Sequence, residues 1–177
     1  MSVKTYTVAK GGGSGNFQPG WQEVTVSKAS YGSLDNGARF IDVWFGDSFP
    51  DSFNMRMYEK MSKTGEEFAI ANLFRFAENA GVASSTETQD DGKFVVTFDD
   101  SATELVGKRF NIYLYKNSDG YYRALAKTAP VEFSGIVDTI TENDVEYWKG
   151  KALDYYKTWV LPNIDSPTAE KTDGVPF

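Results

Sequence analysis

Residues 38–60 carry the pattern that most limits how this chain can fold. A-R-F-I-D-V-W-F-G runs into a short acidic turn and then S-F-N-M-R-M-Y-E-K. Apolar and polar side chains alternate through both halves, the period of a β-strand rather than a helix. In the second half Phe53, Met55 and Met57 share one face, and Asn54, Arg56, Tyr58 and Lys60 share the other. In the first half Ile41, Val43 and Phe45 form the apolar set, opposite Phe40, Asp42 and Trp44. Successive strand side chains point to opposite sides, so the pair predicts a sheet with one apolar face and one face of rings and cations. Such a face suits the stacking of flat ligands such as unpaired bases. Rings at the same positions also serve as packing beneath another layer, the usual place of aromatic side chains.

The chain has 177 residues, the length of one domain with room for an appended tail. Apolar residues make up 41 % of it, enough for a core, and aromatics 15 %, which favours strands. Cysteine is absent, which excludes disulfides, thiol chemistry and thiolate zinc sites and fits a reducing cytosol. Histidine is absent too, which removes the commonest general base and metal ligand and every Ser-His arrangement. No apolar run approaches the roughly 18 residues of a membrane span, and M-S-V-K-T-Y lacks a signal-peptide core. These features predict a cytoplasmic protein with no membrane partner, no metal, no cofactor and no enzymatic activity. The net charge of -7 runs against nucleic acid as a partner, since phosphate binders usually carry a basic excess. Acid is clustered at Asp90–Asp91 and Asp99–Asp100, however, so one face can still be positive.

Along the chain, Val3–Val8 reads as a short strand. The run Gly11 to Gly15 reads as a flexible lead-in, because it lacks the Gly-Lys-Ser/Thr ending of a P-loop. Pro19-Gly20 marks a turn. Gln22–Tyr31 is a strand with Val24 and Val26 on one face, and Asn36-Gly37 is a hairpin turn into Ala38–Gly46. Ser52–Lys60 completes a three-stranded meander. Glu66–Ala80 changes to helical period, with Ile70, Leu73, Phe74 and Ala77 on one face, Thr64 as cap and Gly81 as stop. A helix between strands three and four of a meander suggests a small barrel with one end plugged.

Residues 83–92 read as a loop and Lys93–Phe98 as an extra strand. Lys108–Lys116 alternates again: Phe110, Ile112 and Leu114 face one way, and Arg109, Asn111, Tyr113 and Tyr115 the other. Asn117–Gly120 turns the chain into Tyr121–Lys127, which adds Tyr121, Tyr122 or Arg123 to that second cationic-aromatic face. Thr141–Trp159 is a second helix, opened by a Thr141/Asp144 capping box and ended by Pro162. Its stripe Val145, Trp148, Ala152, Tyr156 and Trp159 packs on the barrel or, alternatively, on a second subunit, which leaves a homodimer open. Residues 165–177 lack any period and read as a disordered acidic tail. The tail ends in Asp173-Gly174-Val175-Pro176-Phe177, a hook able to enter a basic pocket on a partner.

That ending resembles the acidic tip of bacterial single-stranded DNA-binding proteins, a run of aspartates followed by Ile-Pro-Phe. Here Asp173 alone stands for the run, Gly174 intervenes and Val175 replaces the isoleucine. Residues 21–81, through S-F-N-M-R-M-Y-E-K and E-F-A-I-A-N-L-F-R-F-A-E-N-A-G, resemble phage-encoded single-stranded DNA-binding proteins of the OB-fold type. The resemblance implies an α+β, mainly β domain over residues 1–164. This would be an OB-like five-stranded barrel with one helix between strands 3 and 4 and a C-terminal helix at 141–161. It implies non-specific single-strand binding in phage DNA replication or recombination, in the host cytoplasm. It also implies that Asp173, Val175, Pro176 and Phe177 recruit replication or recombination proteins. OB barrels bind oligonucleotides on the face of strands 2 and 3. Bases would then stack on Trp44, Tyr58, Tyr113, Phe40 or Tyr122, with Tyr115 on the same face. Arg56, Lys60, Arg109 and Arg123 would meet the phosphates.

Two other functions fit parts of the sequence. An acidic protein-binding module, a phage inhibitor or DNA mimic aimed at a host nucleic-acid enzyme, accounts for the charge of -7. A metal-dependent nuclease could use the paired aspartates, but adjacent loop carboxylates are usually only solvated and no base accompanies them.

Overall fold

The computed structural model describes residues 17–81, 96–135 and 138–165. The expected strand Val3–Val8, the glycine run, Asp90–Asp91, the first half of Lys93–Phe98 and the tail from 166 onward lie outside the described residues. What is described is a mixed α+β fold of small antiparallel sheets with helices packed against them.

The expected strand over 22–31 is two strands, β1 (Gly20–Thr25) and β2 (Lys28–Ser33), in different sheets. The chain bends between them. The Val26 N–H donates to Lys108 O, whereas the Ser27 N–H donates to Trp44 O, each at 2.9 Å. Val24 and Val26 are buried, and the next buried residue is Ala29, so the inward parity shifts by one residue at the bend. An extra residue of this kind is how a strand turns a corner between sheets.

β2 pairs with β3 (Arg39–Trp44), and β3 with β4 (Asn54–Tyr58). The β3–β4 register opposes Ile41 to Met57 and Val43 to Met55 on the buried face, and Phe40 to Tyr58, Asp42 to Arg56 and Trp44 to Asn54 on the other. The Asn36-Gly37 turn forms as its composition dictates: Asn36 Oδ1 accepts from the Ala38 N–H at 2.9 Å and Gly37 takes a φ of 93°. The connection after β3 carries core residues, because Phe49 and Phe53 are buried and cluster with Phe17 and Phe45.

β5 (Arg109–Lys116) pairs with β1 on one side and with the short β6 (Tyr122–Ala124) on the other. Its inward set Phe110, Ile112 and Leu114 is fully buried, and this face meets the apolar face of β2–β4 in one core. No ladder joins these two three-stranded sheets, so among the described residues the barrel is not closed. A two-stranded sheet of β7 (Phe133–Ser134) and β8 (Thr139–Ile140) leads into the C-terminal helix.

The first helix, α1, spans Ala69–Phe76, shorter than expected at both ends. Thr64 does not cap it. The Glu67 carboxylate does that work, accepting from the N–H groups of Ala69, Ile70 and Ala71 at 2.8–3.0 Å. The helix stops before Gly81, where Glu78 and Asn79 enter the left-handed region. The Glu78 carboxylate there receives the Arg109 N–H and guanidinium.

The second helix, α2 (Glu142–Tyr155), begins at the Thr141/Asp144 capping box. The two hydrogen-bonding groups of Thr141 hold the Asp144 carboxyl below the usual carboxylate range. Pro162 does not end this helix. A π turn at Tyr156–Val160 carries it into a further turn, α3 (Leu161–Asp165). Proline has no N–H to continue the ordinary i→i−4 pattern, and Leu161 instead donates to Tyr156 O, five residues back.

Candidate functional site

Sequence alternation points to two cationic-aromatic faces, one on β3–β4 and one on β5–β6. The first is open. On it the rings and cations already serve one another. The Lys28 Nζ stands 4.4 Å from the centre of the Trp44 ring, and the Arg56 Cζ stands 3.7 Å from the centre of Phe40. Phe40 also meets Tyr58 edge-on at 5.8 Å. Beneath it lies Gly32, where a Cβ would sit 3.0 Å from the tip of the Phe40 ring. Glycine is the residue that lets this ring lie flat on the neighbouring strand.

Arg56 is tied down as well. Its guanidinium makes two parallel bonds to Asp42, at 2.7 and 2.8 Å, and Asn54 donates to the same carboxylate at 3.2 Å. These bonds push the Arg56 pKa further up. Trp44 donates its indole N–H to Asp51 O at 3.2 Å.

The second face is covered along its middle, over Asn111, Tyr113 and Tyr115. Tyr115 is only 3 % exposed, and burial pushes its phenol well above the ordinary range. Tyr113 packs between Trp21 and Tyr156, with ring centres 5.3 and 5.0 Å away. Asn111 is buried and donates to Pro130 O at 2.9 Å. The C-terminal helix and the segment after β6 cover this side of β5. Arg109 is held by Glu23 at 3.3 Å and by Glu78 at 3.1 Å. Tyr122 stacks on Phe17 at 5.4 Å, turned toward the core. Arg123 pairs with Asp119 at 2.7 Å.

Between β4 and β6, where no ladder joins the two sheets, lies an open groove of about 1180 Å³. Five of the ten residues expected from sequence line it: Arg56, Tyr58, Lys60, Tyr115 and Arg123. Phe40 touches it through Tyr58, and Trp44 lies further along the same sheet face. Arg109, Tyr113 and Tyr122 are not part of it. Glu59 adds a carboxylate to the wall, bonded by the Tyr31 hydroxyl.

The residues that sequence reasoning missed are Trp159 and Asn163. Trp159 belongs to the expected packing stripe, yet it is 63 % exposed, and Val160 is buried in its place. The π turn inserts an extra residue, and one residue rotates a helix face by about 100°. Pro162 was the available signal that this turn would be irregular. Asp173, Val175, Pro176 and Phe177 lie outside the described residues. No described helix is long and apolar enough to cross a membrane. The chain matches no family model and no curated protein.

Proposed function

We propose that this chain binds single-stranded DNA without sequence preference, in the groove between β4 and β6. The observation that carries the reading is the gathering of Arg56, Tyr58, Lys60 and Arg123 with the exposed Trp159 along one open trough. Rings supply a stacking surface that every base can use, and cations beside them meet the backbone. In this reading the two sheets are an opened five-stranded OB-like barrel. Residues 20–33 are its single bent first strand, and the groove lies along the seam between its third and fifth strands. The protein is a binder and not an enzyme. The tail residues Asp173, Val175, Pro176 and Phe177 recruit replication or recombination partners.

The ion pairs change the expected energetics. Arg56 and Arg123 already have carboxylate partners, whereas Lys60 has no ion pair among the described residues. Stacking therefore leads, at about 1–3 kcal/mol per base. The slope of log affinity against log salt stays shallow, about -0.7 for each phosphate that Lys60 or a released arginine meets. A salt series of tryptophan-fluorescence titrations with matched single- and double-stranded oligonucleotides tests this. Quenching by oligo-dT with weaker response to the duplex is expected. No quenching and no mobility shift at low salt overturns the reading. The same pairing of arginines with carboxylates favours a second reading, an acidic protein-binding module. That reading predicts capture of a host nucleic-acid enzyme and indifference to oligonucleotides.

A further inference from the structure

A second concavity lies on the other side of Lys60 and Trp159, between α1, the segment after β6 and α2. It encloses about 370 Å³, within the range of small-molecule sites. Its walls carry five rings: Phe68, Phe76, Trp148, Tyr155 and Trp159. Three lysines line it, Lys60, Lys127 and Lys151, the last with its Nζ 5.8 Å from the exposed Tyr147 ring at the rim, against one carboxylate, Asp154. Glu67 lies behind the wall, its carboxylate occupied by backbone N–H groups including that of Lys60.

Lys127 is the informative member. It is half-buried, with its Nζ 5.2 Å from the centre of Tyr155 and 6.0 Å from that of Phe68. None of the three ammoniums has a carboxylate within ion-pair distance among the described residues. Burial first, and then the charges of Lys60 and Lys151, lower the Lys127 pKa. A half-buried ammonium with two like charges nearby is stabilised by an anion beside it.

We infer that this pocket is a separate site for a phosphate-bearing nucleotide, either free or at the end of a strand. The cation count asks for more than one negative charge, and a phosphate monoester near neutral pH carries about -1.5 to -2. The rings suit a planar base, and Asn72, Thr128 and Thr158 on the wall offer hydrogen-bonding groups for its heteroatoms. The pocket and the groove share Lys60, Ala126, Tyr155 and Trp159 as a common wall, but the site does not depend on the groove binding a strand, because Lys127, Lys151, Trp148 and α1 belong to this pocket alone.

Calorimetry of the full chain with thymidine 5′-monophosphate, thymidine and inorganic phosphate tests it. The nucleotide should bind at least about ten-fold tighter than thymidine, since charge-assisted bonds to the phosphate supply the difference. Lys127→Met and Lys151→Met should each weaken it about ten-fold, whereas the groove substitution Arg123→Met should leave it unchanged. Lys151 is exposed, so its variant keeps the test sound even where Lys127→Met disturbs folding. Mass mapping of lysine acylation supplies a second readout: the nucleotide should protect Lys127. Protection by a 5′-phosphorylated oligo-dT, but not by the unphosphorylated strand, assigns the site to strand ends. Protection by the mononucleotide with neither strand effective assigns it to free nucleotide. Equal binding of nucleotide and thymidine, full affinity in the Lys151 variant, equal protection by both strands, or no binding at about 10 mM nucleotide overturns the assignment.

Discussion

The β2–β3–β4 sheet and the β1–β5–β6 sheet present the same chemistry away from the core. Each alternates large rings with arginines on its outer side, at Phe40, Trp44, Arg56 and Tyr58 in one and at Arg109, Tyr113 and Tyr115 in the other. Only the first leaves its central rings uncovered. The second lies under the C-terminal helix, where Tyr113 and Tyr115 pack against Tyr156. A ring on a strand is thus a contact surface or a core residue according to what lies over it, and its own strand does not decide which. The cations follow the same logic. Arg56, Arg109 and Arg123 have all found carboxylates, so these cations alone mark neither face as a phosphate site.

Breaking the covered face should have the largest effect. Tyr115→Ala empties a packed site and should destabilise the protein by about 3–5 kcal/mol, read as a lower denaturation midpoint. A change within a few tenths of a kcal/mol means that Tyr115 is not core and the two faces are alike.

An intermediate effect is expected on the open side. Tyr58→Ala should weaken single-strand binding by about 1–3 kcal/mol, measured by fluorescence titration. Unfolding should shift less than for Tyr115→Ala, because Tyr58 is only half-buried. Unchanged affinity removes the β4 wall from the proposed interface.

The smallest effect sharpens the comparison most. Asp42→Asn removes the charge that holds Arg56, a pair of an exposed guanidinium and a buried carboxylate, at a stability cost of about 1.5 kcal/mol. The released guanidinium should tighten binding at low salt and steepen the salt slope by about 0.7. An unaltered slope shows that Arg56 serves the sheet alone.

The inner faces were legible because strand period is a local property. Ile41, Val43 and Phe45, then Phe53, Met55 and Met57, then Phe110, Ile112 and Leu114 alternate strictly, and all nine are buried. The capping box at Thr141 and the Asn36-Gly37 turn were legible for the same reason, since partners three residues apart or fewer make their bonds. The bend at Val26–Ser27 was not legible. Its backbone partners Lys108 and Trp44 stand far off in the chain, and they alone determine where the strand changes sheets. Propensity assigns the cap to the hydroxyl of Thr64 and gives Glu66 and Glu67 only a favourable place in the first turn, whereas the Glu67 carboxylate takes the capping role itself.

Of the ten expected site residues, the groove gathers Arg56, Tyr58, Lys60, Tyr115 and Arg123. Tyr113 went elsewhere because a helix beginning about thirty residues later lies over it, and Tyr122 because Phe17 stacks on its ring.

Composition and periodicity by themselves determined the chemistry available: no thiol, no imidazole, apolar faces every second residue, and abundant rings next to cations. Tertiary structure decided which rings stay open and which cations keep an unspent charge. Alternation places a side chain on one of two faces, whereas covering that face or neutralising that charge takes residues distant in sequence and adjacent only after folding.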